Sequence, residues 1–90
     1  MSSRPRAEVR WSWIREQLRI AGEIIDNPGG GLVFGYQAMG QARAHLAEAD
    51  EEAYAAVIGL LDQAEHEAVW RNYARSRELL EEALAKLPEA

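Results

Sequence analysis

Trp11, Ile14, Leu18, Ala21 and Ile25 recur at intervals of three and four, while strand signals are nearly absent from the chain. That spacing puts the five residues on one face of a helix. At about 100° per residue, Val9, Trp13, Ile20 and Ile24 fall beside the stripe and widen the apolar arc to about 200°. Ser12, Arg15, Glu16, Arg19, Gly22, Glu23 and Asp26 fill the other side, and Arg10 and Gln17 interrupt the arc. A helix on a protein surface needs only ~100° of apolar face, so this one, over about 6–26, requires two neighbours. Residues 1–5 are expected to form a flexible arm before it.

Asn27-Pro28 ends the first helix, because proline lacks the N–H and drives its predecessor out of helical angles. Pro28-Gly29 suits the centre of a type II turn, within a Gly-rich turn over 27–31. Three successive glycines before an apolar run raise the question of a phosphate loop. A Walker loop, however, needs Lys and Ser or Thr after the glycines, and the chain's one lysine is Lys86. A dinucleotide fingerprint needs a small residue where Phe34 stands, and both motifs follow a strand. The glycines therefore read as a hinge between helices.

The second helix spans about 32–47, with Leu32, Gly35, Met39, Ala42 and Leu46 on its inner stripe. Gly35, Gly40 and four alanines keep it slim, and Phe34 and Tyr36 stand at its start. Continuing that stripe would predict positions 49, 53, 56 and 60. The bulky residues are instead Tyr54, Val57, Ile58 and Leu61, one step out of register. Asp50 is a good N-cap, so a short turn is expected near 48–50. From about 51 the pattern stays helical to 87, which unbroken would make a rod of about 54 Å against about 30 Å for the first helix. The phase nevertheless moves at Trp70 to Tyr73, so this long element is either continuous or broken near residues 70–73.

Composition narrows the function. Ninety residues make a single domain, and the absence of cysteine leaves packing or association as the source of stability. Threonine is also absent and serine occurs only at positions 2, 3, 12 and 76, so nucleophiles are scarce. No apolar run approaches the ~20 residues of a membrane span, and a cytoplasmic location is the default expectation. The net charge is −5, and residues 44–68 contain no Lys or Arg. Nucleic acid or an anionic membrane would meet repulsion over most of that surface.

Several residues still invite chemistry. His45 with Glu48, and Asp62 with His66, could together offer four ligands to zinc or iron, but a di-iron bundle needs more carboxylates and paired Glu-x-x-His motifs. No metal or cofactor is therefore expected. The stretch "WRNYARSR", residues 70–77, interleaves aromatics and arginines as nucleic-acid surfaces do. Its arginines face different sides, and Glu67–Arg71 and Arg77–Glu81 are spaced for ordinary helix-surface ion pairs. Trp11 and Trp13 near arginines suggest a membrane-surface helix, yet Glu16, Glu23 and Asp26 share the polar side. No serine has a base suggested beside it, so catalysis is not expected. Last, "SRELLEEALAKLP", residues 76–88, resembles the second helix of a tetratricopeptide repeat, with Ser76, Leu80, Ala83 and Pro88 at its small, bulky, small and proline positions. The likeness covers about a seventh of the chain and less than half a repeat, the preceding segment lacks the Trp/Leu-Gly/Tyr half, and no 34-residue period repeats it.

The expectation is an all-α, antiparallel bundle of three helices, or four if the last one breaks. Its expected work is non-catalytic protein–protein association, as a small adaptor, regulatory subunit or inhibitor, with a symmetric homodimer as the simplest assembly. Trp11, Ile14, Leu18, Leu80, Leu84 and Leu87 are the expected interface, because the wide arc of the first helix and the shifted stripe after residue 69 exceed what two short partner helices can cover. The rival reading is a dimeric nucleic-acid-binding regulator using Arg4, Arg6 and Arg10.

Overall fold

A computed structural model describes residues 8–88. Within them the chain forms four helices: α1 (Trp11–Asp26), α2 (Leu32–Asp50), α3 (Ala55–Val69) and α4 (Tyr73–Ala85). The expected arm at 1–5, with Arg4 and Arg6, lies outside the described residues. Helix α1 starts at Trp11, and the described residues before it, 8–10, are not helical.

Each helix packs against its neighbours in sequence, and α1 also packs against α4, so the four close into a ring. Residue pairings fix the directions. The Arg10 N–H reaches His45 and Ile24 lies against Gly35, so α1 and α2 are antiparallel. Arg43 pairs with Glu65 and Tyr36 with Ala68 across α2 and α3. Ser76 meets Ala64 across α3 and α4. Arg77 pairs with Asp26 while Arg15 reaches the Leu87 carbonyl, which makes α4 antiparallel to α1 as well. The result is an up-down-up-down bundle.

The Asn27 N–H bonds to the Glu23 and Ile24 carbonyls and closes α1. The turn that follows sits one residue later than the sequence suggests. The Gly31 N–H bonds to the Pro28 carbonyl at 2.7 Å, with Gly29 at φ +47° as its first central residue. A left-handed angle at that position is what glycine permits at little steric cost. Helix α2 then runs on to Asp50 rather than ending near 47, and the turn occupies residues 51–54. Asp50 Oδ1 accepts the Ala53 N–H at 3.1 Å, so its capping chemistry serves that displaced turn.

The long final element is two helices, which corrects the three-helix expectation. The Asn72 N–H bonds to the Glu67 carbonyl at 2.8 Å and the Arg71 N–H to that of Ala68 at 3.0 Å. Those two bonds with a left-handed residue between the helices make a Schellman turn. That residue is Arg71, at φ +64°, where glycine is usual. The turn lets α4 fold back along α3, which covers the shifted apolar stripe without another chain.

The core takes one stripe from each helix: Ile14, Leu18 and Ile25 from α1, Met39 and Leu46 from α2, Val57 and Leu61 from α3, Leu79 and Leu80 from α4, with Leu87 just beyond it. Alanines 21, 38, 42, 64, 68 and 83 fill the narrower contacts. Burying each large side chain removes apolar area worth about 1.5–3 kcal/mol. Ser76 is the one buried polar side chain among the described residues, and its hydroxyl donates to the Ala64 carbonyl at 2.7 Å. No buried side-chain polar atom among them lacks a partner.

Candidate functional site

The first turn of α2 and the last turn of α3 share one end of the bundle, as the Tyr36 hydroxyl donating to the Ala68 carbonyl requires. Four large apolar side chains stand exposed there: Val33 (54%), Phe34 (61%), Val69 (57%) and Trp70 (75%). Helical phase distributes them. Val33 precedes Tyr36 by three residues and Gly40 by seven, so it lies on the flank of α2 that meets α3. Val69 follows Glu65 by four and lies on the matching flank of α3. Phe34 precedes Ala38 by four and lies toward α1. Trp70 is the C-cap of α3, where the chain leaves the helix.

The local sequence explains why Trp70 is not drawn inward. Ala64 and Ala68 are the core-facing residues of this end of α3, and the Schellman turn begins directly after them. Trp70 is on the outer side of that turn, next to Arg71. The Arg71 guanidinium has no carboxylate within ion-pair distance among the described residues. Arg19, by contrast, pairs with Glu16 and Glu23, Arg75 with Glu78, and Arg77 with Asp26 and Glu81. Glu67, the partner expected for Arg71, instead accepts the Asn72 side-chain amide at 2.9 Å. An exposed indole next in sequence to a guanidinium with no ion pair among the described residues combines the residue types most enriched at energetically dominant interface positions.

The opposite end of the bundle carries a cleft of about 280 Å³. Trp11, Leu46, Tyr54, Val57 and Leu87 form its apolar floor, and Ala53, Ala56, Lys86 and Pro88 its rim. Trp11 meets the Tyr54 ring edge-on, centroids 5.4 Å apart. The volume falls below the ~300–1,000 Å³ of small-molecule pockets, so it has room for a single anchoring side chain.

The other candidates are dispersed. Ile14, Leu18, Leu80 and Leu87 are buried in the protomer's own core, and Trp11 and Leu84 are partly covered by it. A fourth helix supplies the cover that the three-helix expectation assigned to a partner. His45 faces α1: its Nε2 accepts the Arg10 N–H at 3.1 Å, and Trp13 meets its ring edge-on at 5.5 Å. Asp62 and His66 are exposed on α3, where His66 Nδ1 contacts the Asp62 carbonyl, and Glu48 is exposed on α2. Among the described residues no three His, Cys, Asp or Glu side chains converge as metal ligands. The Arg10 guanidinium lies over the Trp13 ring, 5.1 Å from its centroid. Among the described residues no helix is long and apolar enough to cross a membrane.

Ion pairs shift the titration of the charged groups they join. The Glu65 carboxylate, hydrogen-bonded across the α2–α3 seam, raises the Arg43 guanidinium above its ordinary value. On α1, the hydrogen bond from Arg19 holds the Glu16 carboxyl below its ordinary range. Compared with family models, curated proteins and solved structures, the chain matches none of them.

Proposed function

We propose that this chain is a non-catalytic helical protein-interaction module whose docking surface is the end of the bundle bearing Val33, Phe34, Val69 and Trp70. The observation that carries this reading is Trp70, three-quarters exposed and followed by an arginine that has no carboxylate partner among the described residues. A large side chain left in water, in a protomer whose other aromatics are at least partly covered save Phe34 at the same end, supports association at this end. The interface expected from α1 and the tail thus moves to a surface that the folded protomer still offers. An adaptor, regulatory subunit or inhibitor would use such a surface in the same way, and self-association through it belongs to the same proposal.

The test is affinity capture from the native host with the wild-type chain and with Phe34→Ser/Trp70→Ser. The expected result is a set of partners, or of tagged second copies, retained by the first and lost by the second. Both baits must have matching helical circular dichroism. Partners retained equally by both would overturn the assignment of this surface.

A further inference from the structure

We infer that the chain assembles head to tail with copies of itself, the Trp70–Arg71 corner of one copy seated in the Trp11–Tyr54–Leu87 cleft of the next. This rests on the docking surface proposed above and names its occupant. Two independent features of the fold carry it, one at each end of α3. Tyr54 and Trp70 are roughly 24 Å apart along that helix, too far for a protomer to fill its own cleft with its own indole. The cleft has an aromatic floor and about 280 Å³ of space, which suits one large side chain better than a cofactor. The protruding side chain at the other end is an indole, the kind that such floors bind by edge and face contacts.

Charge agrees with the pairing and fixes its orientation. Glu51 and Glu52 are exposed on the turn that leads into the cleft residues Ala53 and Tyr54. Arg71, next to Trp70 and without an ion pair among the described residues, is the cation they would receive. Lys86, just after α4, also lines the cleft, so Arg71 must enter on the 51–52 side. Arg71 takes the left-handed position of the turn at which the chain leaves α3. Contact between two different surfaces is heterologous, so it propagates into a ring or a filament instead of stopping at two copies. That separates it from the two-fold dimer expected from the sequence.

The experiment uses the whole chain. Sedimentation velocity from micromolar to millimolar protein should give a mass that climbs past two copies with concentration. Trp70→Ala removes the anchor and keeps the cleft; Ala56→Arg crowds the cleft with a cation and keeps the anchor. Both positions are exposed, so both variants should retain wild-type circular dichroism. Each alone should associate about ten-fold more weakly than wild type or worse, the loss typical of removing an interface anchor. Mixed, they should form one-to-one pairs, since one intact corner meets one intact cleft. Variants that associate as wild type does, or a mixture that stays monomeric, would overturn head-to-tail assembly. A wild-type chain that remains monomeric throughout would overturn it too, while leaving the docking surface to a different partner, which the affinity capture reads separately.

Discussion

At the residue scale, Arg71 is the position where local energetics and the fold disagree most. A non-glycine residue in the left-handed region costs about 1–2 kcal/mol, and a Schellman turn ordinarily spends a glycine there. Arg71→Gly should therefore raise stability by about 0.5–1 kcal/mol, part of the strain relief being offset by the greater freedom of glycine in the unfolded chain. Urea denaturation measures it, and a decrease would mean that the arginine side chain contributes more than its backbone costs. If Arg71 engages carboxylates of a second copy, the same variant will be both more stable and weaker in association. Glu16 gives a smaller effect with a defined sign. Its carboxyl is held below the ordinary range by Arg19, so the stabilisation is present at neutral pH and lost as pH falls through that lowered value. An NMR titration should find the Glu16 midpoint moving up toward the ordinary range in Arg19→Gln; an unchanged midpoint would contradict the pairing.

At the scale of elements, the seams between helices depend on small residues. Gly22 of α1 is buried under Arg77 of α4, and a Cβ there would overlap the guanidinium that bridges Asp26 and Glu81. Two effects then oppose each other in Gly22→Ala. Helix propensity favours alanine by about 1 kcal/mol, while the displaced guanidinium gives up an interhelical pair worth about 0–1 kcal/mol and must repack. In an Arg77→Ala background the first effect acts alone, so Gly22→Ala should stabilise by close to 1 kcal/mol there and by clearly less in the wild type. A double-mutant cycle with no coupling would show that the two side chains are independent. At the α3–α4 seam, Ser76→Ala should cost about 0.5–1.5 kcal/mol in denaturant unfolding, since it deletes a buried donor but leaves the Ala64 carbonyl its helical bond. Ser76→Leu should cost more, because the seam has no room for three further carbons.

For the molecule as a whole, a four-helix ring explains how ninety residues without a disulfide bury a continuous core. Leu18→Ala or Leu61→Ala, each emptying a fully buried site, should destabilise by about 2–5 kcal/mol. Trp70→Ala should change stability by less than about 0.5 kcal/mol while altering association, a contrast that distinguishes a docking residue from a structural one. Calorimetry together with sedimentation reads both; a large stability loss on Trp70→Ala would place the indole in the fold instead.

Apolar spacing by itself determined the helical class and the inner stripes of α1 and α2, because intervals of three and four are set by the helix and need no tertiary context, and Asn27-Pro28 with the glycines marked the hinge between them. The change of phase at Trp70 to Tyr73 was equally visible in the sequence. Its outcome was not, because a straight rod pointing two faces at two neighbours and a rod folded back on itself have the same pattern. Only the tertiary structure decided between them, through hydrogen bonds from Arg71 and Asn72 to carbonyls that a continuous helix would have bonded otherwise. That turn also decided which greasy residues face water. Leu80 and Leu87 found cover inside the protomer while Val69 and Trp70 lost it, since exposure depends on where the neighbouring helix lies and a helical pattern records only its own faces.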